Sequence, residues 1–167
     1  TASLSPFAYV LHLSGDCRGD SPSRNITQWQ ERHAESLSVI VNDGLPSRKI
    51  AVETLDYDFC FAAELVSVFD LSVCLDVGHL LVMDRDVPFH FHRWFDRTKI
   101  VHFHGVRPDK TDHADLGHLS EETVDTVLSL MVMASQEERV LTLEVFNQRD
   151  FEKSVDVLTK RLKSWQR

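Results

Sequence analysis

The chain lacks the residues and runs that define several protein classes. Its 167 residues include 6 Gly, 5 Pro and 3 Cys, and no run of about 18 apolar residues occurs. A membrane-spanning helix is therefore not expected, and collagen-like or low-complexity chains are excluded by the scarcity of Gly and Pro. The odd, widely spaced cysteines Cys17, Cys60 and Cys74 argue against a disulfide framework and favour a reducing, cytoplasmic location.

Basic residues are also scarce. Lys and Arg number 18 against 26 Asp and Glu, which gives a formal net charge of −8. Nucleic-acid binding usually needs a basic face, so this balance disfavours DNA as a partner. Histidine, in contrast, is abundant, with nine His beside 18 Lys and Arg. Imidazole is a common metal ligand and proton carrier, so these residues are the first candidates for a functional site.

Short apolar runs alternate with amphipathic segments along the chain. The runs are rich in Val, Ile, Leu and Phe, which is typical of buried parallel strands; they cover residues 8–13, 50–55, 71–77, 100–103 and 140–145. Between and after them the spacing predicts helices, one opened by a capping-box pattern at 27–30 and another by Ser120 as N-cap. The alternation predicts five βα units and a parallel sheet.

Two architectures accommodate such units, an open doubly wound sheet and part of a (β/α)8 barrel. On each run one face is large and apolar, and the other is smaller and ends in His, Asp or Glu; these end residues are His12, Glu53, Asp76, His102 and Glu144. A polar face at the C-terminal strand ends is typical of a barrel interior. No Gly-rich phosphate loop follows any run, which weakens the doubly wound alternative.

The length supports part of a barrel. At about 31 residues for each of eight barrel units, the 167 residues hold about five units. We therefore expect an α/β fold in which residues 1–167 form the C-terminal part of a single, incomplete TIM barrel, with strands 4 to 8 present. Its open sheet edges need missing N-terminal strands or a partner chain to cover them.

The strand ends suit metal binding. His79 follows Asp76 by three residues, His104 follows His102 by two, and His113 lies in a polar loop. Carboxylates and imidazoles without thiolates suit Zn or Mn, with Fe as a further option. A lone strand histidine can equally be a satisfied core group. Buried carboxylates are harder to explain structurally, because burying them unpaired costs several kcal/mol.

Several phrases resemble a known superfamily. They are Glu53-Thr54-Leu55-Asp56-Tyr57, Asp76-Val77-Gly78-His79, His102-Phe103-His104-Gly105, His113 with Gly117, and Leu143-Glu144. Together they resemble the xylose isomerase-like barrels, which include endonuclease IV and many sugar isomerases and epimerases. Within that superfamily they look most similar to bacterial cobamide-remodeling phosphodiesterases, which hydrolyse the nucleotide loop of cobalamin-like corrinoids.

The resemblance implies a set of metal ligands. By comparison with the endonuclease these are His12, Glu53, Asp76, His79, His102, His113 and Glu144. One position departs from that pattern, because the endonuclease has Asp two residues before the His matching His113, where this chain has Thr111 followed by Asp112. In the isomerases and epimerases, a smaller set matching Glu53, Asp76, His102 and Glu144 holds one metal.

Three functions remain open on these grounds. The leading expectation is metal-dependent phosphodiester hydrolysis of a corrinoid, with Glu53, Glu144 and His104 as catalytic residues; His104 would touch phosphate or support a ligand. The first alternative is a sugar isomerase or epimerase with one divalent metal, in which Glu53 and Glu144 move a proton on a sugar or sugar phosphate. The second alternative is a non-catalytic corrinoid- or metal-binding module.

Overall fold

The computed structural model describes residues 5–15, 25–132 and 138–165. These residues form one sheet of five strands; they are β1 (Tyr9–Leu11), β2 (Ile50–Glu53), β3 (Ser72–Asp76), β4 (Thr98–Phe103) and β5 (Val140–Leu143). All neighbouring strands are parallel, and their order in the sheet follows their order in the chain. The predicted five-stranded parallel sheet is confirmed. Cys17 lies outside the described residues.

Six α-helices connect and follow the strands in the described ranges. They are α1 (Ile26–Asn42), α2 (Cys60–Val68), α3 (Val77–Val82), α4 (Val87–Trp94), α5 (Glu121–Val132) and α6 (Gln148–Trp165). None of these helices combines the length and apolar character that crossing a bilayer demands. In this order of elements, each connection between consecutive strands contains at least one helix. Parallel strands need crossover connections of this kind.

The helix starts agree with the sequence in part. Ser120 caps α5 as predicted, because its Oγ accepts a hydrogen bond from the amide of Thr123 at 3.1 Å. The predicted capping box at 27–30 is wrong. Instead, Asn25 caps α1 and accepts from the amide of Gln28 at 2.9 Å. After β3 the chain enters α3 directly, with Asp76 as the N-cap.

The two faces of the sheet carry different side chains. Large residues such as Val52, Leu75 and Phe103 join the helices in the main hydrophobic core. Ala51, Cys74 and Ile100 form a separate small cluster on the opposite face. Both clusters match the alternation predicted from the sequence. The face with the small cluster is the one on which the strand-end His, Asp and Glu residues lie, since residues two apart share a face.

Phe103 gives a direct test of this core. Its side chain is fully buried, so Phe103→Ala is expected to lower the free energy of unfolding by about 3–5 kcal/mol. Urea denaturation of both proteins measures the difference. The control is Phe89→Ala, because Phe89 is 61% exposed and its loss is expected to cost at most about 0.5 kcal/mol. If Phe103→Ala lowered the free energy of unfolding as little as Phe89→Ala, this assignment of Phe103 to the core would be wrong.

Both lateral edges of the sheet are open in the described part of the chain. β1 and β5 each pair with one neighbour there, and Tyr9, Val10 and Val140 are exposed. The large apolar residues Phe151, Val155, Leu162 and Trp165 of α6 are also exposed, although Leu158 packs on the main core. Edges of this kind are surfaces that further strands or another chain can cover.

Candidate metal centre

Four strand ends bring four potential ligands to one place. Glu53 ends β2, Asp76 ends β3, His102 lies next to last in β4, and Glu144 directly follows β5. One ligand atom from each residue lies within 4.8 Å of the others. The sequence predicted all four, and parallel pairing explains their convergence, because the carboxyl ends of all the strands share one edge of the sheet.

The contacts within this set suit a cation. Nδ1 of His102 lies 3.4 Å from Oε1 of Glu53, 3.7 Å from Oδ2 of Asp76 and 3.1 Å from Oε2 of Glu144. The contact between His102 and Glu144 does not have the direction of a hydrogen bond. Within the described residues, two carboxylate oxygens are buried without a hydrogen-bond partner, namely Oδ2 of Asp76 and Oε2 of Glu144. Unpaired buried carboxylate oxygens are costly. Three carboxylates and an imidazole fit a divalent metal such as Zn, Mn or Fe, which would remove that cost.

Without a cation, a proton on His102 holds the carboxylates together. Burial lowers the pKa of His102, but contacts with Cys74, Glu144 and Glu53 outweigh burial and raise that pKa to about 12. The imidazole of His102, against partial burial, lowers the pKa of Glu144 to about 2. Burial raises the pKa of Glu53, yet His102 and His12 together lower it below its usual value. His102 is thus an imidazolium among carboxylates at neutral pH.

A divalent cation is expected to stabilise the fold. The cation would replace one proton and relieve repulsion among Glu53, Asp76 and Glu144. At about 100 times its Kd it should add about 2.7 kcal/mol to the free energy of unfolding. Thermal unfolding with Mn²⁺, Zn²⁺ and Co²⁺ measures the rise in Tm. Asp76→Asn removes one charge from the set, so an unchanged metal response in that variant would contradict the site.

The predicted ligand His12 lies beside this set and outside it. Its Nε2 is 2.6 Å from Oε2 of Glu53, the oxygen turned away from His102. The His12 side chain is 54% exposed, whereas that of Glu53 is buried. His12 therefore connects a buried carboxylate with solvent and fixes its orientation.

His79 and His113 lie next to the four ligands, with their rings held by the backbone. Nδ1 of His79 donates to the carbonyl of Thr54 at 3.0 Å, and Nδ1 of His113 donates to that of Glu144 at 3.1 Å. A neutral ring that donates through Nδ1 has a free lone pair on Nε2, the usual arrangement of a metal-bound histidine. These Nε2 atoms lie 3.9 and 3.8 Å from Oδ2 of Asp112. Asp112, which follows Thr111, thus approaches both rings.

His104 is fully buried beneath these residues. Its Nδ1 accepts a hydrogen bond from the amide of His113 at 2.9 Å, and its Nε2 lies 3.1 Å from Oδ1 of Asp76. Burial lowers the pKa of His104, but contacts with Asp76, the carbonyl of Gly105 and Glu144 together raise it above its usual value. The His113 amide can hydrogen-bond only a ring that carries no hydrogen on Nδ1. His104, His79 and His113 form a second group able to hold a metal by distance.

Phe146 was not singled out from the sequence. Its ring is exposed, and the centroid of that ring lies 4.5 Å from the centroid of the His113 ring. The His113 ring in turn stacks on the His104 ring, with 4.3 Å between their centroids. The available signal was its position two residues after Glu144, on the same side of an extended chain. Phe146 therefore forms part of the wall beside the candidate centre.

Comparison with known proteins defines the fold. No protein-family model matches the chain, and no curated protein matches it. The solved apo structure of 3-keto-D-glucoside 4-epimerase YcjR from E. coli is similar, with a TM-score of 0.61 and 12% sequence identity. The fold is an incomplete TIM barrel. The match covers 92% of this chain and 63% of the epimerase, so the chain spans less than two thirds of that protein's length.

This likeness concerns the fold alone, at 12% identity. The likeness agrees with the barrel expected from the strand-end pattern. The five parallel strands of this chain form a curled half-barrel. The neighbouring structure is that of an enzyme, a sugar epimerase. The comparisons provide no support for the resemblance to cobamide-remodeling phosphodiesterases.

Proposed function

We propose that this chain carries the metal centre of an isomerase or epimerase that acts on a keto sugar. The observation that supports this most is the convergence of Glu53, Asp76, His102 and Glu144 around a space for one divalent cation. The similar epimerase structure favours this reading over hydrolysis, through the shared fold. Corrinoid phosphodiester hydrolysis, the leading expectation from the sequence, becomes the second candidate function.

The two glutamates are the proton-transferring groups in this proposal. They come from β2 and β5, the outer two of the four ligand-bearing strands, so they approach a bound substrate from two sides. A bound divalent cation would polarise the substrate carbonyl and make the neighbouring carbon more acidic. Glu144, a carboxylate beside that cation, accepts the proton from the neighbouring carbon.

Glu53 returns a proton to the substrate on the other side. Its Oε2 contacts His12 at 2.6 Å, and His12 is half-exposed. His12 therefore supplies a proton from solvent to Glu53, and Glu53 donates it to carbon. One proton leaves the substrate and one enters, so the product is an isomer with its configuration or carbonyl position changed.

Isotope exchange tests this proposal. The protein is incubated in D₂O with Mn²⁺ or Co²⁺ and a panel of keto sugars, and NMR follows deuterium entering the carbon next to the carbonyl. We expect metal-dependent exchange together with formation of an epimer or isomer. Glu144→Gln is the matched negative control. Absence of exchange with every sugar and metal, in a protein that binds metal, would refute the proposal.

Phosphodiester hydrolysis is the second candidate, favoured by one further observation. Nε2 of His79, Nε2 of His113 and Oδ2 of Asp112 face one another beside the first set. A second cation held there would give the two-metal arrangement used in phosphoryl chemistry, with a corrinoid nucleotide loop or a sugar phosphate as substrate. Metal analysis distinguishes the candidates, since this one requires two equivalents, falling to one in His113→Ala.

Adenosylcobalamin provides the substrate test for this second candidate. Incubation with each divalent metal, followed by mass analysis, should detect phosphodiester cleavage. Tight corrinoid binding without any product would instead support a binding module. One metal equivalent and no product would leave the isomerase or epimerase proposal alone.

A further inference from the structure

The absence of a side chain at Gly78 gives His104 its place beside the metal centre. Gly78 lies in the first turn of α3, directly behind the ligand Asp76. A Cβ on Gly78 would lie well inside 3.0 Å of three atoms of the His104 ring, a distance that real Cβ atoms do not show. Gly78 does not have the positive φ that favours glycine, so its backbone would accept alanine. The need for glycine here comes from the ring of His104.

Nδ1 of His104 has two neighbours. It lies 2.9 Å from the amide of His113, which can only donate, and 3.2 Å from the carbonyl oxygen of Gly105, which already accepts from the amide of Ala114 at 3.0 Å. The shorter contact with the fixed donor favours Nδ1 as the acceptor. The hydrogen must then lie on Nε2, which faces Oδ1 of Asp76 at 3.1 Å. That contact has the distance but not yet the direction of a hydrogen bond, and within the described residues Nε2 has no other partner.

Asp76 is held on one side only. Its Oδ1 accepts from the amide of His79 at 2.8 Å and faces His104, while its Oδ2 turns to the candidate metal space without a hydrogen-bond partner in the described part of the chain. The amide of His113 belongs to the loop that also carries Asp112. His104 thus connects a metal ligand with the loop forming the wall of the site.

We propose that His104, in its Nε2-protonated form and seated against Gly78, is a positioning residue that sets the orientation of Asp76 and couples it to the loop of His113. It does not touch substrate. The inference rests on the proposed metal centre and adds to it the pair of residues that orient one ligand. Outer partners of this kind typically change metal affinity about 10- to 100-fold when they are removed.

NMR of the unmodified protein tests the first part. Long-range ¹H–¹⁵N spectra of ¹⁵N-labelled protein, assigned with His104→Gln, report which nitrogen of each histidine carries hydrogen. We expect His104 to be the Nε2–H form at neutral pH, with His79 and His113 as Nδ1–H forms. An Nδ1–H form or an imidazolium at His104 would overturn the proposal, without reference to any enzyme activity.

A double-mutant cycle with Co²⁺ as the probe tests the second part. Gly78→Ala and His104→Ala are each expected to weaken Co²⁺ binding about 10- to 100-fold and to change its visible spectrum. Since the three atoms nearest to the alanine methyl all belong to the His104 ring, Gly78→Ala should cost far less in the His104→Ala background than in the unmodified protein. His104→Gln, which can still donate to Asp76, should restore part of the affinity. Additive losses would overturn the coupling.

His92→Gln is the control, because His92 is exposed on α4, and it should leave Co²⁺ binding unchanged. The outcomes also separate this inference from the proposed function. Coupled losses of Co²⁺ affinity without turnover of any keto sugar would uphold the positioning role and refute the epimerase. Turnover of a keto sugar together with additive losses of Co²⁺ affinity would support the epimerase and refute the positioning role.

Discussion

Glu144→Gln is expected to lower kcat on a keto sugar by about 10²–10⁴, the range usual for loss of a proton-transferring group. The substitution keeps the size of the side chain but removes the negative charge beside His102 and the atom that accepts the proton. KM should change less than kcat, because the carboxylate acts on the reacting carbon. Steady-state kinetics and deuterium exchange in D₂O, both at saturating metal, measure the effect.

Glu138→Gln is the matched control for this variant. Glu138 is exposed just before β5, at the end of the strand opposite Glu144. It should leave kcat, exchange and metal content unchanged. If Glu144→Gln kept near-normal exchange at full metal occupancy, Glu144 would have no part in proton transfer, and the assignment of the two glutamates would be wrong.

Metal binding is expected to weaken sharply in acid. A proton holds His102 in the imidazolium form up to a pKa of about 12 in the metal-free protein, and a cation must displace it. Each unit of pH below that value therefore costs about tenfold in apparent affinity, or about a hundredfold between about pH 8 and about pH 6. Glu144, with a pKa of about 2, stays ionised across this range and adds no proton.

Calorimetry in buffers of different ionisation enthalpy measures the number of protons released. We expect about one proton for each cation bound at neutral pH. His102→Gln has no such proton, so its weaker binding should hardly depend on pH in this range. Metal binding by the unmodified protein without proton release would contradict the imidazolium at His102.

The same proton makes the metal-free fold sensitive to alkali. The pKa of His102 is raised on folding, so its contribution to stability is complete below the unfolded value of about 6.5 and disappears as pH rises toward about 12. Glu144 behaves oppositely, since its pKa is lowered on folding. Its contribution is complete above the ordinary value of about 4.3 and is lost as pH falls toward about 2.

The strands and the convergence of the four candidate ligands were predictable because they follow a period of two. Alternation alone separates the face of Val52 and Leu75 from the face of Glu53 and Asp76, and parallel pairing brings the strand ends together. The start of α1 was less predictable, since Asn25 and Thr27 are both good capping residues. In the structure α1 begins at Ile26, so Asn25 takes the N-cap position.

Loop geometry explains what the sequence could not show. Lys110 and His113 adopt positive φ in the loop after β4, and this unusual backbone turns Asp112 toward His79 and His113. The roles of His12 and His104 depend on contacts between distant elements. The reaction itself stays a prediction, because the resemblance implies the same four strand-end positions for both the hydrolases and the isomerases.

The position of β5 at an edge of the sheet has a consequence for local opening. Within the described residues β5 hydrogen-bonds to β4 alone, and edge elements fray at lower free energy than interior ones. Glu144 would leave with a frayed β5, while Glu53, Asp76 and His102 stay on interior strands. A bound cation would act as a cross-link that fastens the edge. Amide hydrogen exchange in β5 should therefore slow on metal binding far more than exchange in β3.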